Sequence, residues 1–219
     1  ASVLGFGARR VWDDDRMPAK YVNTPETPVY KKSHVLYGLD LARTNIGKKN
    51  QVVVVEGYTD VMAMHVAGID TAVASCGTAF GPEHAHLVQR LMGNRGALNG
   101  EVIFTFDGDA AGRSAALKAY RDDEEFTSQT YVAVEPNGLD PCDLRMQEGD
   151  AAVRELVARR VPLYRFVMEN TVDRFDLDRA DGRLAAARAA APLVTSIRDA
   201  ALVSEFTREL AQIIGMDVD

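Results

Sequence analysis

The spacing of apolar positions divides the chain into three stretches. Over the first 33 residues Gly, Pro and Thr are frequent and the runs WDDDRMP and VNTPETP resemble turns. Helical periodicity is weak there, so loops and short hairpin strands are expected. A short helix is predicted over His34–Thr44. Gln51–Val55 is then an almost unbroken β-branched run, the pattern of a strand buried on both faces. A helix over Thr59–Ala67, a strand over Asp70–Ser75, a helix over Pro82–Met92 and a strand over Glu101–Phe106 follow. A helix over Ala111–Arg121 and a strand over Gln129–Val134 complete the alternation, which predicts a parallel α/β sheet. From Gly149 onward the pattern is helical only, near Ala151–Arg160, Leu163–Arg174, Ala180–Val194 and Arg198–Ile214. Pro162, Gly182 and Pro192 mark breaks or kinks, and a helical bundle beside the α/β unit is expected.

Composition narrows this picture little and charge changes it more. The 219 residues are 47% hydrophobic and 26% charged, as in ordinary soluble globular proteins, which excludes a disordered tail or a collagen-like repeat. Two cysteines, Cys76 and Cys142, make no disulfide scaffold and fit a reducing cytoplasm. No apolar run approaches ~18 residues, so no membrane span is expected. The chain starts without Met and without a signal pattern, and reads as a segment of a longer protein. The net charge of −7 conceals an asymmetry. Residues 1–50 hold nine Lys/Arg against five acids, and the remainder holds sixteen against twenty-seven.

Two of the expected strands end in acids: Gln51–Val55 runs into Glu56-Gly57, and Glu101–Phe106 into Asp107-Gly108-Asp109. Ligands of open parallel sheets gather beyond the carboxyl ends of the strands, near a switch in strand order. If the two strands are neighbours, three carboxylates meet at one edge, where like charges repel unless a cation or protons intervene. Hard oxygens without nearby His or Cys favour magnesium or manganese over zinc. Glu56, Asp107 and Asp109 are therefore candidate ligands. Each motif alone also reads as a helix cap or an ordinary turn, and Asp60 occupies a first helical turn, where negative charge is favourable anyway. A further acidic group, Asp140 and Asp143 in GLDPCDL, either adds a metal site at the same edge or forms a solvated Asp-Pro turn.

EGYTDVMAMHVAGIDTAVASCGTAF, followed by VIFTFDGDAAGRSAA, resembles the TOPRIM domain shared by topoisomerases, bacterial primases and some nucleases. That family pairs a Glu after its first strand with a DxD after a later one, and Glu56, Asp107 and Asp109 match. The EGY-x-DV form and the upstream blocks GFGARRV and KYVNTPETPVYKKSHVLYGL are similar to bacterial replicative primases of the DnaG type. The resemblance implies an α/β fold with a TOPRIM parallel sheet flanked by helices. It divides the chain into a basic mixed segment (1–48), a TOPRIM domain (49–147) and a helical subdomain (148–219). The implied activity is primer synthesis: a DNA-directed RNA polymerase making short RNA primers from ribonucleoside triphosphates on single-stranded DNA. Glu56, Asp107 and Asp109 would be catalytic and hold magnesium or manganese, with Asp140 as a further ligand. Arg9, Lys20, Tyr21, Asn23 and Lys32 match positions that bind nucleotide or DNA. Where the family shows DPD this chain has Asp140-Pro141-Cys142-Asp143, so Asp143 is displaced by one residue and is not carried over as a ligand. Zinc is expected only in an amino-terminal module outside this chain. A replicative helicase is expected to bind through a carboxyl-terminal domain that is also outside it. The fragment alone is expected to prime weakly or not at all, in a cytoplasmic, nucleoid-associated setting.

Two other readings stay open at this point: a TOPRIM topoisomerase or nuclease, and a non-catalytic module that binds metal and nucleotide. His84 and His86 form an HxH whose members face different ways on a helix, which argues against a metal site. Cys76 reads as a buried small residue, Trp12 and Tyr30 as packing residues, and Arg159, Arg160 and Arg188 as solvated charges.

Overall fold

The structure, a computed structural model, describes residues 3–10, 12, 14, 16, 19, 21–75, 77–93, 100–107, 129–195 and 200–217, with the backbone alone at 106, 107, 200 and 201. Two compact units, Ala1–Arg160 and Val161–Asp219, make up the chain. The helix expected over Ala111–Arg121 lies outside the described residues.

The first unit begins with an antiparallel ribbon of β1 (Gly7–Arg9) and β2 (Tyr21–Asn23), in register Gly7 to Asn23, Ala8 to Val22 and Arg9 to Tyr21. A 3-10 turn at Lys32–His34 precedes α1 (Leu39–Lys49). The helix starts at Leu39 rather than His34, because Tyr37 and Ala74 first exchange backbone hydrogen bonds at 2.8 and 3.1 Å. Gly38, at φ 82°, then turns the chain into the helix, a conformation that other residues enter at a cost. Asp40 in its first turn and Lys48 and Lys49 in its last complement the helix dipole.

After α1 the chain alternates through β3 (Gln51–Val55), α2 (Tyr58–Val66), β4 (Ala72–Ala74), α3 (Pro82–Met92), β5 (Glu101–Asp107) and β6 (Gln129–Glu135). Two further helices, α4 (Pro141–Glu148) and α5 (Asp150–Ala158), close the unit. The four strands are parallel in the order β4-β3-β5-β6. Their side chains alternate between faces. Val53, Val55, Ile103 and Ala133 pack with α2, α4 and α5, while Val52, Val54, Val102 and Phe104 pack with α1 and α3. Burial on both faces explains the valine run, and each such side chain contributes about 1.5–3 kcal/mol by leaving water. Helix α5, which its sequence groups with the later helices, lies on the sheet through Val153, Leu156 and Val157. Periodicity reports an apolar stripe but not the surface that covers it.

GLDPCDL is the clearest departure from a turn reading. Asp140 caps α4, its Oδ1 accepting from the Asp143 N–H at 2.8 Å, and Pro141 takes the first helical position, where no N–H is needed.

In the second unit α6 (Leu163–Val172), α7 (Ala180–Thr195) and α8 (Ala200–Ile214) enclose a core that includes Met168, Val172, Ala186, Ala190, Leu210 and Ile214. Tyr164 and Phe206 stack with ring centroids 3.9 Å apart. Pro192 lies inside α7 instead of ending it.

Candidate functional site

The path of the chain makes the crevice. From β3 the chain passes to β4 on one side and later to β5 on the other, with α2 and α3 covering opposite faces. The switch in strand order therefore falls between the carboxyl ends of β3 and β5, where open α/β sheets bind ligands. Glu56 follows β3 and is exposed, and Asp107 is the last residue of β5. The strand ends that carry these two candidates are thus neighbours. The Asp107 side chain and Asp109 lie outside the described part.

Asp60 belongs to the same turn and is only 3% exposed. Its Oδ2 accepts the Gly57 N–H at 2.9 Å, which fixes the backbone that carries Glu56. The helix-dipole reading of Asp60 captured its charge but not this hydrogen bond or its burial.

Asp140 approaches from the loop after β6. Besides capping α4, its Oδ2 lies 3.8 Å from Arg9 Nη2. Ligating atoms of Asp140, Cys142 and Asp143 fall within 4.8 Å of one another, close enough to hold an ion. The donors are uneven. Burial, and after it the charge of Asp140, pushes the Cys142 thiol up from its ordinary pKa, so it stays protonated and suits a hard cation poorly. Carboxylate oxygens of Glu56 and Asp140 fit magnesium or manganese by their chemistry.

What sequence reasoning missed outright is Glu135. It ends β6, pairs in register with Asp107 and is 4% exposed. Its Oε2 accepts the N–H groups of Asn137 and Leu139 at 2.8 and 2.7 Å, and its Oε1 accepts Asn137 Nδ2 at 3.2 Å. The loop that delivers Asp140 is folded around this carboxylate. The rule applied to Glu56 and Asp107, an acid at the carboxyl end of a strand, would have found it.

The basic segment reaches the same edge. Arg9, Tyr21 and Asn23 are on one face of the ribbon, and the Arg9 guanidinium stands 5.8 Å over the Tyr21 ring. Burial pulls the Arg9 pKa down, but Tyr21, Asp140 and Cys142 outweigh it and hold it above its ordinary value. The Tyr21 hydroxyl is 3.0 Å from Thr59 Oγ1, and the Tyr58 hydroxyl bonds to Asn23 Oδ1. Lys32 is anchored separately. Its N–H donates to Glu26 Oε1 at 2.9 Å and its carbonyl is 2.9 Å from Nε2 of buried His84. His84 is thus a structural residue, while His86 is exposed. Lys20 and Cys76 lie outside the described residues. Trp12, expected to pack, is exposed.

Comparison with known proteins gives this arrangement a family. Residues 50–134 match the Toprim domain, residues 1–43 the N-terminal domain of the DNA primase catalytic core, and residues 164–219 the DnaB-helicase binding domain of primase. The crystal structure of the RNA polymerase domain of Mycobacterium tuberculosis primase DnaG with double-stranded DNA is similar at 57% identity and a TM-score of 0.87. It covers 98% of this chain, and 67% of its own length is matched. The chain belongs to the bacterial DnaG-type DNA primase family. A DnaG primase catalytic domain bound to single-stranded DNA is also similar, with 33% identity, a TM-score of 0.77, and coverage of 98% of this chain and 65% of its own. The DNA primase of Mycobacterium tuberculosis is 57% identical over 97% of this chain. This primase-family chain spans about a third of the length of the curated relatives it matches, 33% for that one. The match at 164–219 corrects one expectation: a segment named for helicase binding lies within the chain, in the helices of the second unit, and not only beyond it. Among the described residues no helix is long and apolar enough to cross a membrane.

Proposed function

We propose that this chain is the part of a primase catalytic core at which ribonucleoside triphosphates are joined into short RNA primers on a single-stranded DNA template. The observation that carries the reading is the meeting of a carboxylate edge with an Arg9–Tyr21–Asn23 face at the switch point of one sheet. In this reading Glu56, Asp107, Asp109 and Asp140 hold magnesium or manganese. Such an ion, when bound, supplies positive charge that orients the triphosphate and stabilises the oxygens during transfer. Arg9, Lys20 and Lys32 attract phosphate groups, Tyr21 offers an aromatic face to a base and Asn23 an amide to a nucleotide. Buried Asp60 and Glu135 keep the two carboxylate-bearing loops in shape. Residues 1–48 serve as basic segment, 49–147 as TOPRIM domain and 148–219 as a helical subdomain whose first helix, α5, packs on the sheet. The helicase-binding match supports a replicative helicase as a partner, in a cytoplasmic, nucleoid-associated setting, with zinc confined to a module outside this chain. Taken alone, this stretch binds metal and nucleotide but primes weakly or not at all.

The test is labelled ribonucleotide incorporation by the full-length primase on single-stranded DNA with magnesium. Glu56→Gln and Asp107→Asn should each lower incorporation roughly 100-fold or more, about 2.7 kcal/mol of lost stabilisation. Synthesis retained in both variants refutes the ligand assignment. DNA cleavage in place of synthesis favours the nuclease reading.

A further inference from the structure

Side chains two residues apart share a face of a strand, so Gly7 and Arg9 on β1 and Tyr21 and Asn23 on β2 all face the site. Gly7 stands directly opposite Asn23 in the register. The space a side chain at 7 would fill is taken by the Tyr58 hydroxyl, onto which a Cβ there would fall. Through this gap the Tyr58 O–H donates to Asn23 Oδ1. The Tyr58 ring is held edge-on by Tyr37 at 4.7 Å and by Tyr21 at 5.9 Å between centroids. Tyr58 is also the first residue of α2, directly after Glu56-Gly57. One residue is therefore bonded in sequence to the carboxylate turn and in space to the ribbon.

The direction of that hydrogen bond decides how the amide is presented. With Oδ1 accepting from the phenol, the other end of Asn23 is its N–H2 group, a pair of donors. Gly77, at φ 81°, lies on that side, and a side chain there would run into Nδ2. Nδ2 lies close beside Gly77, whose missing side chain leaves room at the amide, and its N–H donors complement oxygen acceptors such as those of a phosphate or ribose.

We propose that Tyr58 is a positioning residue for nucleotide binding: its hydroxyl, reaching through the gap at Gly7, fixes the Asn23 amide with its N–H2 group toward an oxygen acceptor of the nucleotide. The proposal rests on the reading of Asn23 as a nucleotide-binding residue. Without the hydroxyl the amide is free to turn over and present its oxygen to an acceptor.

Steady-state kinetics of the full-length primase, with KM for the ribonucleoside triphosphate and kcat measured separately, test this in wild type, Tyr58→Phe, Asn23→Ala, the double variant and Gly7→Ala. Phe keeps the ring cluster, so the melting temperature and kcat should stay near wild type while KM rises about 3- to 10-fold, the worth of one hydrogen bond. Asn23→Ala should raise KM at least as far, and adding Tyr58→Phe to it should change nothing more. Gly7→Ala, by displacing the hydroxyl, should reproduce the KM of Tyr58→Phe. Multiplying effects in the double variant, or a wild-type KM in Tyr58→Phe beside a raised one in Asn23→Ala, overturn the proposal. An unchanged KM in Asn23→Ala overturns the nucleotide-binding reading of Asn23, and the proposal with it.

Discussion

Glu135 allows a sharp test because its two oxygens do different work. Oε2 takes both backbone N–H groups of the loop, from Asn137 and Leu139, and Oε1 takes only the Asn137 side chain. In Glu135→Gln the amide oxygen can stand in for Oε2, keeping both backbone bonds and losing the charge assistance and the Asn137 side-chain bond. That costs about 1 kcal/mol. In Glu135→Ala both N–H groups lose their acceptor inside a half-buried loop, at about 1–1.5 kcal/mol each, and the total is about 3 kcal/mol. Urea unfolding of the chain, with the slope unchanged so that the midpoint reports stability, separates the two. Since Asp140 follows Leu139 immediately, Glu135→Ala should also weaken manganese binding measured by calorimetry, and Glu135→Gln should largely preserve it. Equal destabilisation by the two substitutions would refute the division of labour between the oxygens. A loss below about 0.5 kcal/mol in Glu135→Ala would mean that water replaces the carboxylate and that the loop is not built around it.

Burial holds the His84 imidazole below its ordinary pKa, with the neutral ring accepting from the Gly81 N–H at Nδ1 and donating to the Lys32 carbonyl from Nε2. The unfolded chain therefore takes up the proton first, so the contribution is whole above about pH 6.5 and is lost as pH falls through the lowered folded value. Urea midpoints of wild type should drop more steeply between pH 7 and 5 than those of His84→Gln; parallel curves would refute the assignment. Asn caps a helix about as well as Asp, so Asp140→Asn should leave stability within about 0.5 kcal/mol of wild type, whereas Asp140→Ala costs about 1 kcal/mol. If Asp140 is also a metal ligand, Asp140→Asn weakens manganese binding in the same calorimetric titration, and wild-type affinity would confine Asp140 to capping.

The alternation of short β-branched runs with helices was legible in the sequence because burial on both sheet faces leaves no room for polar residues in Val52–Val55. Glu56 and Asp107 were legible for the same reason: an acid that abruptly ends such a run marks the sheet edge. Helix α4 was not, since Asp-Pro opens turns and helices alike and only the Asp143 N–H on Asp140 tells them apart. The start of α1 depended on Tyr37 bonding to Ala74, 37 residues away, which no local pattern records. Glu135, Asp60 and Tyr58 were hidden in another way. Their importance lies in what they bond to, and those partners are backbone groups or side chains brought near only by the fold.

The ribbon shows why those partners matter. Two strands of three residues are too small to be stable alone, so β1 and β2 depend on what they lean against. The contacts in question are Arg9 with Asp140, Tyr21 with Thr59, and Asn23 with Tyr58. Every one of these partners sits in a loop or first helical turn beyond the carboxyl end of a parallel strand, at or beside a candidate ligand. The interactions that fold the ribbon are therefore the ones that set the distance between the Arg9–Tyr21–Asn23 face and the candidate carboxylates. A substitution in the ribbon that lowers activity consequently has two routes, loss of a ligand contact or loss of the ribbon's seat. The two are separated by measuring melting temperature beside the kinetics: a lost seat lowers the melting temperature and activity together, whereas a lost ligand contact raises KM for the ribonucleoside triphosphate with the melting temperature near wild type.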